Sequence, residues 1–442
     1  MAVTLTVTAT TCVLMFLAII IKPSVKIKIK PCSKEINIGT YWIISLLGAI
    51  ILILVGEISL KQVWTGITAH TSINPLKILA LFISMTALSV FLDEVGFFGY
   101  LAARAISGDN HSQKRFFVKL YVLVSVLTVF TSNDIIILTF TPFICYYAKN
   151  AKINPIPYLV AEFVAANSFS LTLIIGNPTN IYLATFYGIS FGRYFAVMFI
   201  PALFAGVTGF LMTYFTFRKS FSEQINPAVT DAKIKDKPML IVGITMLATC
   251  TVLLAISSYV GFEMWYIAVG FALLLMLTAT IYSVIKKTKP RLVFDTLKRS
   301  PIELIPFVLS MFAIVLALNK CGATKAIGDM LNTGKLSGLT YGLGSFLFAN
   351  LINNIPMSVL FGSITSYATA SHAIEAVYAS IIGSNIGAFL TPVGALAGIM
   401  WLNILKEKGI KFGFRDFVKY GVIISVPVIL VALGGMYLSL MI

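Results

Sequence analysis

The sequence predicts an all-α protein that crosses a membrane many times and is built from two related halves. The chain of 442 residues is 58% hydrophobic and only 11% charged, and its mean hydropathy is +0.93. Soluble domains carry about 25% charged residues. Apolar runs long enough to span a bilayer recur from end to end. Polar, helix-breaking stretches interrupt these runs at corresponding places in the two halves. Because lipid cannot satisfy an exposed backbone N–H or C=O, such breaks are expected only inside protein or along a wet cavity.

The net charge of +16 does not indicate a nucleic-acid partner, because the basic residues are not pooled in one segment. They lie in short loops between apolar spans, which is typical of loops on the cytoplasmic side. Five lysines crowd the loop at 22–34, so we expect this loop in the cytoplasm and both termini outside. The first apolar span, about 3–21, has no basic segment before it and no small-residue cleavage site after it. It is therefore expected to be an uncleaved transmembrane helix of a multi-pass cell-membrane protein.

One apolar stretch, about 116–147, predicts a re-entrant helical hairpin. Basic residues flank both of its ends, which places both ends in the cytoplasm. As a single helix it would be roughly 48 Å long at 1.5 Å per residue, which is too long for a hydrocarbon core of about 30 Å. Ser132, Asn133 and Asp134 stand at its centre, where the chain is expected to turn.

The second half of the chain repeats the first. Residues 75–85 match residues 301–311 without a gap, Asn133-Asp134 aligns with Asn353-Asn354, and Asn167 aligns with Asn385. The charge pattern gives the matching elements opposite orientations, which is typical of inverted-repeat transporters. We therefore predict a first repeat at 1–236 and a second at 237–442, with hairpins at about 116–147 and 336–372 and about ten crossings in all.

The paired breaks predict the binding site, because irregular backbone at membrane depth is where secondary transporters bind their solutes. Asp134 is the sharpest candidate, since a carboxylate at mid-depth costs about 2.5–3.5 kcal/mol on insertion scales. It predicts a site for a coupling cation or proton, although a helix-capping role would also suit it. The residues predicted for the coupling ion or proton are Asp134, Asn133, Ser132, Asn353 and Asn354.

The solute site is predicted at the asparagine-rich breaks. Amides both donate and accept hydrogen bonds, and the N-termini of half-helices present N–H groups to oxyanions. The alternative is that the amides hold helices together, at about 0.6 kcal/mol per contact. The predicted substrate-binding residues are Asn167, Gly176, Asn177, Pro178, Thr179, Asn180, Asn385, Thr391, Pro392 and Gly394. Glu162 lies about one and a half turns before Asn167, and the sequence leaves open whether it lines the same cavity or the cytoplasmic interface.

These motifs resemble the ion transporter superfamily, which joins arsenite permeases, sodium/dicarboxylate symporters and some sodium/proton antiporters. The resemblance covers nearly the whole chain and is greatest to ArsB-type arsenite permeases. It rests on Asn133-Asp134, Asn353-Asn354-Ile355-Pro356, Thr391-Pro392-Val393-Gly394-Ala395-Leu396-Ala397, Trp401-Leu402 and Lys408-Gly409-Ile410. It implies export of arsenite or antimonite coupled to inward proton movement. The Gly176-to-Asn180 stretch instead looks like the turn of the dicarboxylate and sodium/proton branches.

We therefore expect a secondary active transporter rather than an enzyme, since no nucleotide-binding, nucleophile or metal-ligand motif is evident. Arsenite efflux in exchange for protons is the leading hypothesis. Sodium- or proton-coupled symport of a dicarboxylate, sodium/proton antiport and a passive channel are the alternatives. No cofactor is expected beyond a coupling Na⁺ or H⁺. The expected partners are the solute, membrane lipid, a second copy of the chain and a separate ATPase subunit.

Overall fold

The computed structural model describes residues 1–22, 24–29, 34–69, 74–106, 112–222 and 233–442. The predicted fold class is confirmed: this is an all-α polytopic membrane protein. Within the described ranges, seven helices are long and apolar enough to cross a membrane. Two shorter apolar helices, Thr40–Leu54 and Ile156–Phe169, accompany them.

The first half contains ten helices and a short strand pair among its described residues. They are α1 (Ala2–Ile21), β1 (Ser24–Ile29), β2 (Lys34–Gly39), α2 (Thr40–Leu54), α3 (Leu60–Thr68), α4 (Pro75–Glu94), α5 (Phe97–Ile106), α6 (Gln113–Phe130), α7 (Asn133–Ala151), α8 (Ile156–Phe169), α9 (Pro178–Phe186) and α10 (Phe191–Phe217). The antiparallel strand pair, in which Ser24 faces Gly39, was not predicted. Because β2 runs to Gly39, α2 begins directly after it, at Thr40.

The second half follows the same order of helices. They are α11 (Lys237–Val260), α12 (Met264–Ile285), α13 (Arg291–Arg299), α14 (Leu304–Lys320), α15 (Ala323–Leu331), α16 (Ser337–Ile352), α17 (Asn354–Thr365), α18 (Ala373–Gly387), α19 (Leu396–Glu407) and α20 (Phe414–Met441). Short 3-10 turns at Ile174–Gly176 and Pro392–Gly394 precede α9 and α19. Each half therefore ends in a hairpin, a broken helix and a long final helix.

The packing between the halves is reciprocal. Helix α4 packs on α12 and its counterpart α14 packs on α2, while α7 packs on α19 and its counterpart α17 packs on α9. The two long final helices, α10 and α20, pack on each other. Such exchanged contacts are what a pseudo-two-fold relation between repeats produces. The domain boundary between residues 236 and 237 stays a prediction.

The two hairpins open toward opposite ends of α10. Phe117, near the start of the α6–α7 hairpin, packs on Phe221, just beyond the end of α10, with ring centroids 4.7 Å apart. The hydroxyl of Tyr187, just before the start of α10, donates to Thr365 at the end of the α16–α17 hairpin over 2.9 Å. A helix of 27 residues is about 40 Å long. The hairpins therefore enter the protein from opposite sides, and their tips meet the broken helices between them.

Ion pairs lie at the ends of the helices. They mark two polar faces of the protein, with an apolar layer between them. On one face, Arg299 bonds both Asp93, over 2.7 Å, and Glu94, over 2.5 Å. On the other, Lys77 pairs with Glu263 over 2.7 Å. Asp93 and Glu94 therefore lie at a polar face of the protein. Which face lies in the cytoplasm stays a prediction from the charge pattern.

Candidate functional site

Two breaks in the helices bring backbone into the buried interior. Helix α8 ends at Phe169 and α9 resumes at Pro178, while α18 ends at Gly387 and α19 resumes at Leu396. The residues that connect the 3-10 turns to the resumed helices have nearly the same extended conformation: φ −153° and ψ 143° at Asn177, and φ −149° and ψ 153° at Ala395. The breaks are therefore equivalent in shape, but only the first carries a polar side chain at this position.

Asn385 bridges the two halves at these breaks. Its Oδ1 accepts from Asn177 Nδ2 over 3.0 Å and from Ser170 Oγ over 2.9 Å. Its Nδ2 donates to Asn180 Oδ1 over 2.7 Å and to the Ile381 carbonyl over 2.9 Å. All four of these amide and hydroxyl side chains are buried. A single asparagine of the second repeat thus holds the break of the first repeat in place.

The break of the first repeat is also capped from within. Asn177 Oδ1 accepts from the backbone N–H and the hydroxyl of Thr179, each over 3.1 Å. Asn180 Nδ2 donates to the carbonyls of Ser170 and Leu173 over 2.8 and 3.2 Å. These bonds satisfy groups that the broken helix leaves free, as helix termini require.

The tip of the first hairpin joins this network through one amide. Asn133 Nδ2 donates to Asn167 Oδ1 over 3.0 Å, and Asn167 Nδ2 donates to the Phe163 carbonyl over 2.8 Å. The buried Asn133 Oδ1 and Ser132 Oγ have no hydrogen-bond partner among the described residues. Asp134 follows them in the first turn of α7. The tip therefore presents two unsatisfied buried oxygen atoms, and the next residue carries a carboxylate. Hydroxyl, amide and carboxylate oxygens are the kinds of ligand that hard cations prefer.

The tip of the second hairpin bonds to the second break. Asn353 has a left-handed backbone, φ 74° and ψ 152°, which non-glycine residues adopt rarely. Its Oδ1 accepts from the Ile355 N–H over 3.3 Å, and its Nδ2 donates to the Val393 carbonyl over 3.0 Å. Asn350 accepts from the Thr391 hydroxyl over 2.7 Å and donates to the Gly387 carbonyl over 3.0 Å. The strained tip is thus held by the break that it faces.

Glycine is required where the broken helices approach other backbone. A Cβ on Gly176 would collide with the backbone of Ser170, and a Cβ on Gly394 would collide with the Gly387 carbonyl. Pro178 and Pro392 stand beside them at the first positions of α9 and of the 3-10 turn, where the missing N–H of proline costs nothing.

A cavity of about 590 Å³ reaches the second break from one polar face. We call it the vestibule; its floor includes Pro392 and Val393, and its walls include Lys406 and Lys411. These lysines come close to the second break because α19 leads away from it and the chain then turns back, so that residues 406–416 fold over the opening.

The structure gathers the predicted site residues into two linked clusters. One contains Asn133, Asn167, Asn177, Thr179, Asn180 and Asn385, and the other contains Asn353, Thr391 and the backbone at Pro392 and Gly394. Asp134 and Asn354 lie at the hairpin tips without side-chain bonds to either cluster. Ser170 and Asn350 were not on the predicted list of site residues. Asn350, three residues before Asn353, belongs to the same polar stretch of the sequence, whereas nothing in the sequence marks Ser170.

Comparisons with known proteins agree with this architecture. Residues 36–383 match the CitMHS citrate transporter family. The arsenical pump membrane protein of Escherichia coli K12 is 28% identical over 421 residues, which cover 91% of this chain and 94% of that protein. A putative arsenical pump membrane protein of Bacillus subtilis is 25% identical, covering 88% and 92%, and a 46 kDa membrane protein of Mycobacterium leprae is 27% identical, covering 90% and 92%.

The solved structure of the YdaH transporter from Alcanivorax borkumensis shares the fold. Its TM-score is 0.59 at 14% sequence identity, and the alignment covers 99% of this chain and 98% of that one. The family match and the arsenical pump relatives confirm the resemblance to the ion transporter superfamily and its ArsB-type permeases. With the family match spanning most of the sequence, this chain belongs to the CitMHS family of membrane transporters.

Proposed function

We propose that the protein is a secondary active transporter that exports arsenite or antimonite in exchange for protons. The observation that carries the proposal is the bridge made by Asn385, which ties the two repeats together at their helix breaks. Solute that binds there contacts both repeats, as alternating access requires. The relatives named as arsenical pump membrane proteins support the choice of solute.

The chemistry of the clusters suits a small neutral hydroxide. Arsenite near neutral pH is an uncharged molecule with three O–H groups, and amide and hydroxyl side chains both donate to and accept from such groups. None of the four described cysteines belongs to either cluster. Without thiolate bonds to arsenic, the solute would be held by hydrogen bonds alone and released readily.

The tip of the first hairpin is the proposed coupling site. Ser132 Oγ and Asn133 Oδ1 lack hydrogen-bond partners in the described part of the chain, and Asp134 is the next residue, in the first turn of α7. Asn353 and Asn354 occupy the equivalent tip in the second half. A proton or a sodium ion on this group of oxygens would neutralise Asp134. A homodimer and a separate ATPase subunit stay predictions.

A second candidate function is coupled symport of a dicarboxylate or similar anion. The specific observation in its favour is the vestibule, where Lys406 and Lys411 line the route to the second break. Asp416 lines the same cavity, so two ammonium groups stand against one carboxylate, and the net positive charge would raise the local concentration of an anion. The match to the citrate transporter family also favours this solute class.

Proteoliposomes that hold purified protein test both candidates. Arsenite accumulation driven by a pH gradient is expected for the wild-type protein and is expected to be uncoupled in Asp134→Asn. Asp295→Asn, which changes an exposed carboxylate on α13, should match the wild type. Sodium-driven uptake of succinate or citrate without arsenite flux would instead establish the symporter. Coupled flux that is unchanged in Asp134→Asn would remove this residue from the mechanism.

A further inference from the structure

A second carboxyl group lies inside the first repeat, away from the hairpin tip. The side chain of Glu162 on α8 is fully buried, and it precedes Asn167 by five residues, or about 7.5 Å along the helix. Among the described residues its hydrogen-bonding contacts are to the hydroxyl of Thr141 on α7, at 3.0 and 3.1 Å from its two oxygens. A buried carboxylate with so little compensation is costly unless it takes up a proton.

The contact with Thr141 fits a protonated carboxyl group. A threonine hydroxyl has one proton to donate and two lone pairs to accept with. Its shortest contact is the carbonyl of Ile137, at 2.6 Å. When the hydroxyl donates there, it faces Glu162 with a lone pair, and this arrangement needs a carboxylic acid proton between them.

Trp401 supplies a donor for the opposite state. Its indole N–H is buried without a hydrogen-bond partner in the described chain, and it lies against Glu162. An ionised Glu162 could accept from this N–H and from Thr141 once the hydroxyl rotates. The three side chains can therefore satisfy either protonation state of the carboxyl group without any movement of the backbone.

The second repeat shows that packing does not require this polar group. With Asn167 aligned to Asn385, the residue equivalent to Glu162 is Ser380, whose hydroxyl bonds its own helix at the Ala376 carbonyl over 2.6 Å. With Asn133 aligned to Asn353, the residue equivalent to Thr141 is Phe361. The equivalent of Trp401 is Leu183. In the other half, the equivalent layer of side chains is thus filled by Ser380, Phe361 and Leu183, without a carboxyl group.

The surroundings isolate the group from other charges. Cys145 on α7 is the titratable side chain that interacts with Glu162, and Lys408, beyond α19, interacts with Cys145 in turn. Helices α6, α10 and α18 also pack on α8, but none of their charged side chains interacts with Glu162. Those side chains are Lys114, Arg115, Lys119, Arg193 and Glu375.

Apolar side chains separate this group from the vestibule. A small cavity of about 20 Å³ is lined by aromatic and aliphatic residues that include Phe163, which follows Glu162 in the sequence, and Trp401. Phe412 lines both this cavity and the vestibule, and its ring packs on Trp401 with centroids 5.2 Å apart. Phe412 therefore stands between Glu162 and the solvent of the vestibule.

We propose that Glu162, held between Thr141 and Trp401, binds and releases a proton of the transport cycle. The proton adds to a carboxylate oxygen in one state and leaves the same oxygen in the other, so no further reactant is needed. This proposal rests on the proton coupling of the proposed function. It assigns a proton to a residue of α8 in addition to the tip of the first hairpin.

The first test requires no solute, so it does not depend on which solute is carried. Replacing Trp42, Trp64 and Trp265 by phenylalanine leaves Trp401 as the sole tryptophan. We expect its fluorescence in nanodiscs to follow a one-proton titration, which is absent in Glu162→Gln and retained in Glu162→Asp. Thr141→Val should shift the midpoint and Thr141→Ser should restore it. A titration that is identical in Glu162→Gln, or absent altogether, would overturn the proposal.

The second test separates solute movement from coupling. In proteoliposomes, Glu162→Gln should retain exchange of labelled arsenite at equal concentrations on both sides, but lose at least tenfold in accumulation driven by a pH gradient. Glu407→Gln, on the exposed face of α19, should keep both. Full accumulation in Glu162→Gln would contradict the role of this residue. Absence of arsenite exchange in the wild type would instead contradict the proposed solute. It would not affect the fluorescence test of Glu162, which uses no solute.

Discussion

The bridge made by Asn385 gives a quantitative prediction. Substitution by alanine removes three hydrogen bonds between elements, to Ser170, Asn177 and Asn180. Interhelical hydrogen bonds in membranes are worth about 0.6 kcal/mol each, so their loss alone costs about 2 kcal/mol. The substitution also strands the buried Asn177 Nδ2 and Asn180 Oδ1, and unsatisfied buried groups cost about 1–3 kcal/mol each. Water that enters the space left by the Asn385 side chain would recover part of this cost. We therefore expect Asn385→Ala to lower the free energy of unfolding by roughly 3 kcal/mol.

Unfolding by denaturant in mixed micelles, followed by tryptophan fluorescence, measures this loss. Asn403→Ala is the matched control, because Asn403 is an exposed asparagine of α19. Surface substitutions of this kind change stability by within about 0.5 kcal/mol. Asn385→Asp keeps the acceptor for Asn177 but turns an oxygen toward Asn180 Oδ1, so it should also destabilise. If the free energy of unfolding of Asn385→Ala is within about 0.5 kcal/mol of that of the control, the network does not hold the repeats together and Asn385 does not organise the site.

Three further predictions follow from contacts at the breaks and at one polar face. Gly394→Ala should lower the thermal midpoint in detergent or prevent folding, because the added Cβ meets backbone, whereas Gly270→Ala, which meets nothing within 4 Å, should match the wild type. Thr391→Val should cost about 1 kcal/mol by removing the bond to Asn350, and Thr391→Ser should recover it; equal denaturation midpoints for the two variants would contradict this. Arg299→Ala should destabilise by roughly 1 kcal/mol at low salt, since its bonds to two carboxylates are partly exposed. That difference should shrink at 1 M salt, and a salt-independent difference would show that packing is responsible.

The sequence predicted the hairpins and breaks with good accuracy because the physical signal there is strong. Polar residues in the middle of an apolar run have few explanations in a membrane. The turns at Ser132 and Asn353 accordingly fall where the sequence places them, and the helices resume at Asn133, Asn354 and Pro178. Proline and the capping residues indicate these helix boundaries in the sequence.

The sequence failed where the outcome depends on distant contacts. The strand pair at 24–39 was missed because its lysine-rich segment looks like any cytoplasmic loop. The lysines of the vestibule were missed because residues 406–416 reach the second break only through the return of the chain after α19. The sequence alone does not specify the environment of Glu162, because its partners are distant in sequence. Thr141 precedes it by 21 residues, and Trp401 belongs to the second repeat.

The sequence by itself determined that this chain is a helical membrane protein with two related halves, and it located the residues at the helix breaks. These properties follow from hydropathy, charge and helix-breaking residues, which act locally along the chain. Only the tertiary structure decided which polar groups meet. It paired Asn385 of one repeat with the break of the other, and it placed Glu162 between a hydroxyl and an indole. The physical reason is that hydrogen bonds between helices depend on the packing and register of segments far apart in sequence, which periodicity alone does not specify.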